Sequence, residues 1–253
     1  MNEYISLVIF IFVYVLIVGR IKFRIPIWAS MLIGAALMIG FQIISPTSAF
    51  KSVQMDVIMF LFGMFSIVSA LDKAGVLRYM AIKMLSRAKT PDRVLLIFVV
   101  GIGSLSAFLV NDTIALMGVP LVAYVSKHIG VRPAVLLIAL AFGVTVGSVM
   151  TPIGNPQNLL IALQSGIDLP FTNFIKFLAV PTIINLFLTY YILKIYFKKD
   201  MAQVNLQNIA LENAVIVNKN LAKISIGVLI ATIAGFFISE VLKFLKIADV
   251  SLA

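Results

Sequence analysis

The stretch Thr151-Pro152-Ile153-Gly154-Asn155-Pro156-Gln157-Asn158 interrupts an apolar run of the chain, and Asn111-Asp112-Thr113 interrupts another. At membrane depth every backbone N–H and C=O needs a partner inside the protein. Helix-breaking polar residues therefore survive there only where they line a cavity. Secondary transporters build their ion and substrate sites from helices broken in this way near the bilayer midplane. The two interruptions predict part of a transporter and the place of its binding site.

The composition is that of a polytopic membrane protein. Hydrophobic residues make up 62% of the 253 residues and charged residues 12%, whereas a soluble domain is roughly half apolar and a quarter charged. The formal net charge is +10, but the basic residues lie between apolar runs, so the predicted partner is the lipid bilayer and not nucleic acid. The sequence has no cysteine, which excludes a disulfide framework and a thiolate metal site.

Seven apolar blocks predict an all-α polytopic membrane protein, with about six full spans, a re-entrant helical hairpin and a broken helix. We expect residues 1–253 to form a single transmembrane domain with a polar cytoplasmic loop over residues 199–223. In segment 73–89, apolar residues recur at helical spacing opposite Arg78 and Arg87, which is typical of an amphipathic helix on the membrane face. The blocks cover residues 4–19, 25–45, 57–71, 94–126, 133–163, 171–197 and 224–245.

The block that contains Asn111-Asp112-Thr113 predicts a re-entrant hairpin over residues 93–127 rather than one span. As helices at about 1.5 Å per residue, its arms 94–110 and 114–126 would be about 25 and 20 Å long. Together they exceed the ~30 Å hydrocarbon core, and the second arm alone falls short of it. A hairpin with the polar triplet at its tip resolves both mismatches. The second interruption predicts a broken helix over residues 133–164.

The basic residues predict the orientation. With the N-terminus outside and the hairpin opening to the cytoplasm, 16 of the 20 Lys and Arg residues lie on the cytoplasmic side. This excess is the positive-inside bias of multi-pass proteins, and we expect the cell membrane as the location. The basic residues left outside, or near it, are Lys51, Lys176, Lys243 and Lys246.

Helix starts at the two breaks predict an anion site. Asp112 in an apolar segment costs at least ~2.5–3.5 kcal/mol unless it is paired or hydrated. Together with Asn111 it can cap the returning arm of the hairpin. Asn155 followed by Pro156 is a typical helix start. Two half-helix N-termini that point into one cavity would bind an anion.

Oxygen atoms at the same breaks predict a place for a coupling ion. Carbonyl oxygens released at Val110 and Thr151 would suit a hard cation such as Na⁺. Gly147, Pro152 and Pro156 are expected to break the helices and to take part in gating. The predicted substrate and ion ligands are Asn111, Asp112, Thr113, Ser148, Thr151, Gly154, Asn155 and Asn158, of which Asn111, Asp112, Thr151 and Asn155 would form the sodium site.

Two motifs resemble those of the ion transporter superfamily. Residues 106–113 (SAFLVNDT), followed by 118–121 (GVPL), look like its hairpin, and residues 147–158 (GSVMTPIGNPQN) look like its broken helix. The superfamily includes arsenite efflux permeases, citrate transporters, divalent anion–sodium symporters and some sodium–proton antiporters. Its members have two inverted halves, each with a hairpin and a broken helix. The resemblance implies that this chain is the N-terminal half of such an inverted-repeat transporter.

The hairpin tip indicates a branch of that superfamily. Sodium–dicarboxylate members carry Ser-Asn-Thr at the tip, whereas this chain has Val110-Asn111-Asp112-Thr113, closer to the arsenite permease and antiporter branches. An acidic tip repels a dianion unless Na⁺ or a proton neutralises it. A buried Asp112 could also cycle a proton.

The leading hypothesis is ion-coupled secondary transport of a small anion, an arsenite-type oxyanion or a carboxylate, by alternating access. The alternatives are a sodium–proton antiporter-like protein and a non-transporting fragment or subunit of a split transporter. An intramembrane enzyme is disfavoured, because the sequence lacks cysteine and its single histidine, His128, lies at the interface. We expect no cofactor other than Na⁺ or H⁺ as coupling ion. The expected protein partner is a second half-transporter chain, a second copy in a homodimer or a partner ATPase, which would complete the transporter.

Overall fold

The computed structural model describes residues 2–88, 90–202 and 215–251. Every regular element in these ranges is a helix, which confirms the all-α class. The chain divides into two compact units, Met1–Ile58 and Met59–Ala253. Lys89, counted among the cytoplasmic charges, and residues 203–214 of the predicted loop lie outside the described residues.

The first unit is built on two short apolar helices that pack on each other. A Cβ added to Gly34 would lie 2.6 Å from a methyl group of Val13, so the two helices are in close contact there. At about 1.5 Å per residue the second of them is only about 21 Å long, less than the ~30 Å hydrocarbon core. The helices of this unit are α1 (Asn2–Val18), α2 (Arg20–Phe23), α3 (Ile27–Gly40) and α4 (Pro46–Lys51).

The second unit carries both helix breaks. Five helices of the described residues are long and apolar enough to cross a membrane: Met55–Lys73, Pro91–Leu109, Pro133–Met150, Pro170–Tyr196 and Lys219–Leu242. From the unit boundary onward the elements are α5 (Met55–Lys73), α6 (Val76–Leu85), α7 (Pro91–Leu96), a π-helical turn (Ile97–Gly101), α8 (Ile102–Leu109), α9 (Asn111–Ile129), α10 (Pro133–Gly147), a 3-10 turn (Ser148–Met150), α11 (Pro156–Gln164), α12 (Pro170–Tyr196), α13 (Lys198–Met201) and α14 (Lys219–Ser251).

Helices α8 and α9 form the two arms of a hairpin that bends at Val110. A Cβ on Gly143 would touch the carbonyl of Val99, and one on Gly147 would touch that of Gly103, so α8 runs parallel to α10. Gly118 of α9 faces Leu140 of α10, and only three residues separate these two helices in the chain, so α9 runs antiparallel to α10. The two arms are therefore antiparallel to each other.

Two ion pairs lie at one end of the helices α7, α10 and α12. This end of the helical layer is here called the charged edge. Asp92 at the start of α7 pairs with Lys194 near the end of α12, with Oδ2 and Nζ 2.7 Å apart. Arg132, just before α10, pairs with Asp200 of α13 at 2.5 Å between Nε and Oδ1. The hydrogen bond that Arg132 donates to the Asp200 carboxylate also raises the pKa of Arg132. The run Pro91–Leu109, from α7 to α8, and the run Pro133–Met150 both start at this edge. Their far ends, where the chain breaks, therefore lie at a similar depth.

Two sequence expectations need correction. Helix α6 confirms the helix predicted in segment 73–89, but it buries Ala81, Ile82 and Leu85 within the second unit. Part of its apolar side therefore packs on protein instead of facing the membrane. The predicted loop over residues 199–223 is also partly helical, because α13 covers its first residues and α14 begins at Lys219.

Candidate functional site

The first break is a single strained residue. Val110 has φ 59° and ψ 117°, a region that branched residues rarely adopt, and its side chain is fully buried. The next N–H group, that of Asn111, has no acceptor within the hairpin arms and donates to the carbonyl of Gly154 at 2.8 Å. The bend at the hairpin tip is thus fastened to the second break.

The capping expected from Asn111 and Asp112 is only half right. Val110 occupies the N-cap position of α9 and offers no side-chain hydrogen bond. Asn111 stands one position later, and its Oδ1 accepts the N–H of Asp112 at 2.8 Å. The Asp112 side chain caps nothing; it is exposed in the first turn of α9.

The second break begins a new helix as predicted. Asn155 is the N-cap of α11, where its Oδ1 accepts the N–H of Asn158 at 2.8 Å, and Pro156 occupies the first helical position. The amide group of Asn155 reaches back and donates to Oγ of Ser148 at 3.2 Å. Ser148 in turn donates to the carbonyl of Thr145 at 2.9 Å. The start of α11 is therefore tied to the end of α10.

Asn158 holds the loop between these helices together. Its Nδ2 lies 3.2 Å from the carbonyl oxygens of Ser148 and Val149 and 2.9 Å from that of Thr151. The carbonyl predicted to be released at Thr151 thus has a donor within the loop. Because a carbonyl oxygen has two lone pairs, its role as a sodium ligand stays a prediction. The Val110 carbonyl likewise accepts the N–H groups of Thr113 and Ile114, at 3.2 and 3.3 Å.

Glycines let the backbones meet at the breaks. A Cβ on Gly103 would lie 2.6 Å from the carbonyl oxygen of Gly143, and one on Gly143 would lie 2.8 Å from that of Phe98. Added Cβ atoms on Gly147 and Gly154 would fall well inside contact distance of the carbonyls of Gly103 and Ser148. Only glycine fits these positions, so the seam between α8 and α10 is backbone against backbone.

Hydrogen bonds across this seam join the two breaks into one polar centre. The hydroxyl of Thr151 donates to the carbonyl of Ala107. Oγ of Ser106 lies 2.6 Å from the carbonyl of Gly103 and 2.8 Å from that of Val144 on α10. Ser106 lies within the motif SAFLVNDT, but the residue pattern alone predicts no role for it. Its position one helical turn before the hairpin tip is the feature of the sequence that could have indicated a role at the break.

Exposure separates the predicted ligands into two groups. Asn111 is half-buried and Asp112 is exposed, so their free polar atoms can meet a ligand. The others are buried and most of their polar atoms hold the breaks in place. The buried ligands are Thr113, Ser148, Thr151, Gly154, Asn155 and Asn158; of the predicted helix-breaking residues, Gly147 and Pro152 are buried and Pro156 is half-buried. Among the described residues no three His, Asp or Glu side chains cluster as a metal site would require, so a cation here would depend on neutral oxygens beside Asp112.

A second buried polar contact lies outside the predicted site. Glu240 of α14 is 7% exposed, and its carboxylate accepts the N–H groups of Phe171 and Thr172 at 2.5 and 3.3 Å. It also accepts the Thr172 hydroxyl at 3.1 Å. These N–H groups belong to the first turn of α12, whose own N-cap, Leu169, has φ 48° and no side-chain cap. Sequence pattern gave no signal for a cap supplied from so far along the chain.

Comparisons with known proteins agree with this architecture. The family model described as "Citrate transporter" matches residues 11–252. The putative transporter arsB of Dictyostelium discoideum is 33% identical over 177 residues, which are 70% of this chain and 31% of that protein. An uncharacterized transporter of Mycobacterium tuberculosis is 35% identical over 150 residues, 57% of this chain and 35% of that protein. A silicon efflux transporter of Oryza sativa subsp. japonica is 34% identical over 151 residues, 59% of this chain and 30% of that protein. The chain spans about a third of the length of these relatives.

Proposed function

The chain belongs to the citrate transporter family, and from this premise we propose that it contributes one half of an ion-coupled secondary transporter for a small anion. The observation that carries the proposal is the hydrogen bond between the Asn111 N–H and the Gly154 carbonyl, 2.8 Å long. It brings the N-termini of α9 and α11 together at one depth. Helix N-termini carry a partial positive charge, so two of them side by side favour an anion.

Asp112 supplies a reason for coupling. Its carboxylate is exposed in the first turn of α9, next to the place where we propose that the anion binds. An anion and an ionised carboxylate repel each other unless Na⁺ or a proton neutralises the carboxylate. Binding of the coupling ion and of the substrate therefore favour each other, which is the requirement for symport. An arsenite-type oxyanion or a carboxylate, bearing little charge, fits such a site better than a dianion.

A sodium–proton antiporter-like function is the second candidate, and the exposure of Asp112 favours it. Such a carboxylate can exchange a proton for Na⁺ without any anion. A non-transporting fragment or subunit of a split transporter is the third candidate. In every case we propose a multi-pass protein of the cell membrane, completed by a second half-transporter chain, a second copy or a partner ATPase.

The test is transport by the purified chain in proteoliposomes. We would measure uptake of arsenite, citrate, succinate and sulfate with a Na⁺ gradient, a proton gradient or none, in the parent, in Asp112→Asn and in Asp168→Asn. Asp168 is an exposed acid before α12, away from the breaks, and is the matched control. We expect gradient-driven flux of one anion in the parent and in Asp168→Asn, and its loss in Asp112→Asn.

Each other outcome is informative. Flux that Asp112→Asn leaves unchanged would contradict the role of the acidic tip. Na⁺-driven proton movement without anion flux would identify the antiporter-like alternative. Folded protein that transports nothing until a separate second half is added would identify the split-transporter alternative.

A further inference from the structure

A cavity of about 650 Å³ lies in the second unit between the hairpin and the α5–α6 pair. Its size falls within the range of sites for small organic molecules, and none of the predicted substrate or ion ligands lines it. Its apolar wall is formed by all three surrounding segments. The side chains that matter below are Leu77 and Met80 of α6, Ile102 and Leu105 of α8, and Met117 and Leu121 of α9.

The cavity is polar at one end only. Along α9 its lining runs from Ile114, beside the hairpin tip, to Tyr124, a distance of about 15 Å at ~1.5 Å per residue. At the Tyr124 end the wall includes Asp72 and Arg78, and Cζ of Arg78 lies 5.9 Å from the centre of the Tyr124 ring. This end is nearer to the charged edge, because α9 ends at Ile129, shortly before Arg132.

The cavity also opens sideways. Leu116 lines it and is nevertheless 76% exposed. In a membrane protein the molecules that reach such an opening are lipids, whose chains are as apolar as leucine. The apolar part of the cavity offers water no hydrogen-bond partners, so water competes weakly for that part.

We propose that this cavity binds one phospholipid, with an acyl chain along α9 and its headgroup at Asp72 and Arg78. A guanidinium group binds a phosphate through paired, charge-assisted hydrogen bonds, and contact with the Tyr124 ring orients that group. Asp72 offsets the charge of Arg78, so the end matches a headgroup with both a phosphate and an ammonium group. The ethanolamine class has this pair. The proposal is independent of which ion or anion the chain transports.

The test uses phosphatidylethanolamine with a photoreactive diazirine at the end of one acyl chain, in nanodiscs that contain the full chain. After illumination, peptide mass spectrometry locates the adducts. We expect adducts concentrated on the α8 and α9 residues that line the cavity. At limiting probe, Arg78→Gln should lower them about tenfold, since a hydrogen bond to a charged group contributes about 1.5–3 kcal/mol.

Matched variants separate the cavity from the general lipid surface. Met117→Trp places an indole ring in the path of the acyl chain along α9 and should lower the adducts sharply, and Leu105→Phe serves the same purpose if the first variant does not fold. Leu188→Trp adds the same ring on the exposed side of α12, at a side chain that is 51% exposed, and should leave them unchanged. Equal labelling of the cavity and the Leu188 surface would overturn the proposal. So would adducts that ignore Arg78→Gln, or cavity residues that carry no adducts.

Discussion

At the scale of single residues, strain and close contact concentrate where the helices break. A branched residue at positive φ costs of order 1–3 kcal/mol and persists only where its surroundings fix it. Val110 is fixed by complete burial and by the hydrogen bond of the next N–H to Gly154. Gly154 itself has room for no side chain, because an added Cβ would run into the carbonyl of Ser148.

Replacing Gly154 by alanine should therefore destabilise the chain. We expect a loss of about 1–3 kcal/mol of unfolding free energy, the usual cost of forcing extra volume into a packed site. Thermal and denaturant unfolding in one detergent would measure it. Gly227→Ala is the control, because Gly227 is inside α14 with open space around its Cβ position, and alanine there should gain up to ~1 kcal/mol. Equal stability of the two variants would show that the loop relaxes around the methyl group.

Residues also show what the sequence could and could not predict. The Asn155–Pro156 helix start was predictable because its hydrogen bond to Asn158 spans three residues and depends on local geometry alone. The conformation of Val110 depends on Gly154, which the sequence places far along the chain. The hydrogen bond from the Asn158 amide to the Thr151 carbonyl was also outside what the residue pattern predicts, because it depends on how the loop between α10 and α11 folds.

At the scale of helices, the least expected feature is the cap that α14 supplies to α12. Glu240 accepts two N–H groups and a hydroxyl from the first turn of α12. Next to it, the Phe171 ring stacks on Phe236 with 4.9 Å between centroids. A carboxylate at a helix N-terminus is favourable both as an acceptor and through the helix dipole.

Removing this cap should loosen the start of α12. Glu240→Ala leaves buried N–H groups without an acceptor, and we expect a loss of about 1–3 kcal/mol. Hydrogen exchange of the Phe171 and Thr172 amides should accelerate, and Glu240→Gln, which keeps one acceptor oxygen, should lie between parent and alanine. Ser239→Ala, at an exposed neighbour, should leave that exchange unchanged. Unaltered protection in Glu240→Ala would mean that ring packing alone fixes the helix start.

At the scale of the whole chain, the distribution of charged residues bears on the orientation in the membrane more than on stability. The charged edge collects Asp92, Arg132, Lys194 and Asp200, and exposed ion pairs of this kind add little stability. Charged side chains at this end favour water over hydrocarbon, so they indicate that the charged edge lies at a membrane surface. The sequence predicts that this surface is cytoplasmic, from the excess of basic residues on that side.

Single cysteines would test that orientation directly, because the parent sequence has none. Lys51 and Arg87 are both exposed and are predicted to lie on opposite sides. With a membrane-impermeant maleimide on intact cells, Lys51→Cys should label at once, and Arg87→Cys only after permeabilisation. The cysteine-free parent gives the background. The reverse pattern would invert the predicted topology.

The glycine seam between α8 and α10 has a mechanical consequence. Backbone meets backbone there without side chains between them, at Gly103, Gly143 and Gly147, and the Asn111 N–H continues the connection to Gly154. Such a contact has no flexible layer that could absorb sliding. In the transporter proposed above, a displacement that carries the substrate would therefore move the hairpin and the broken helix as one rigid body.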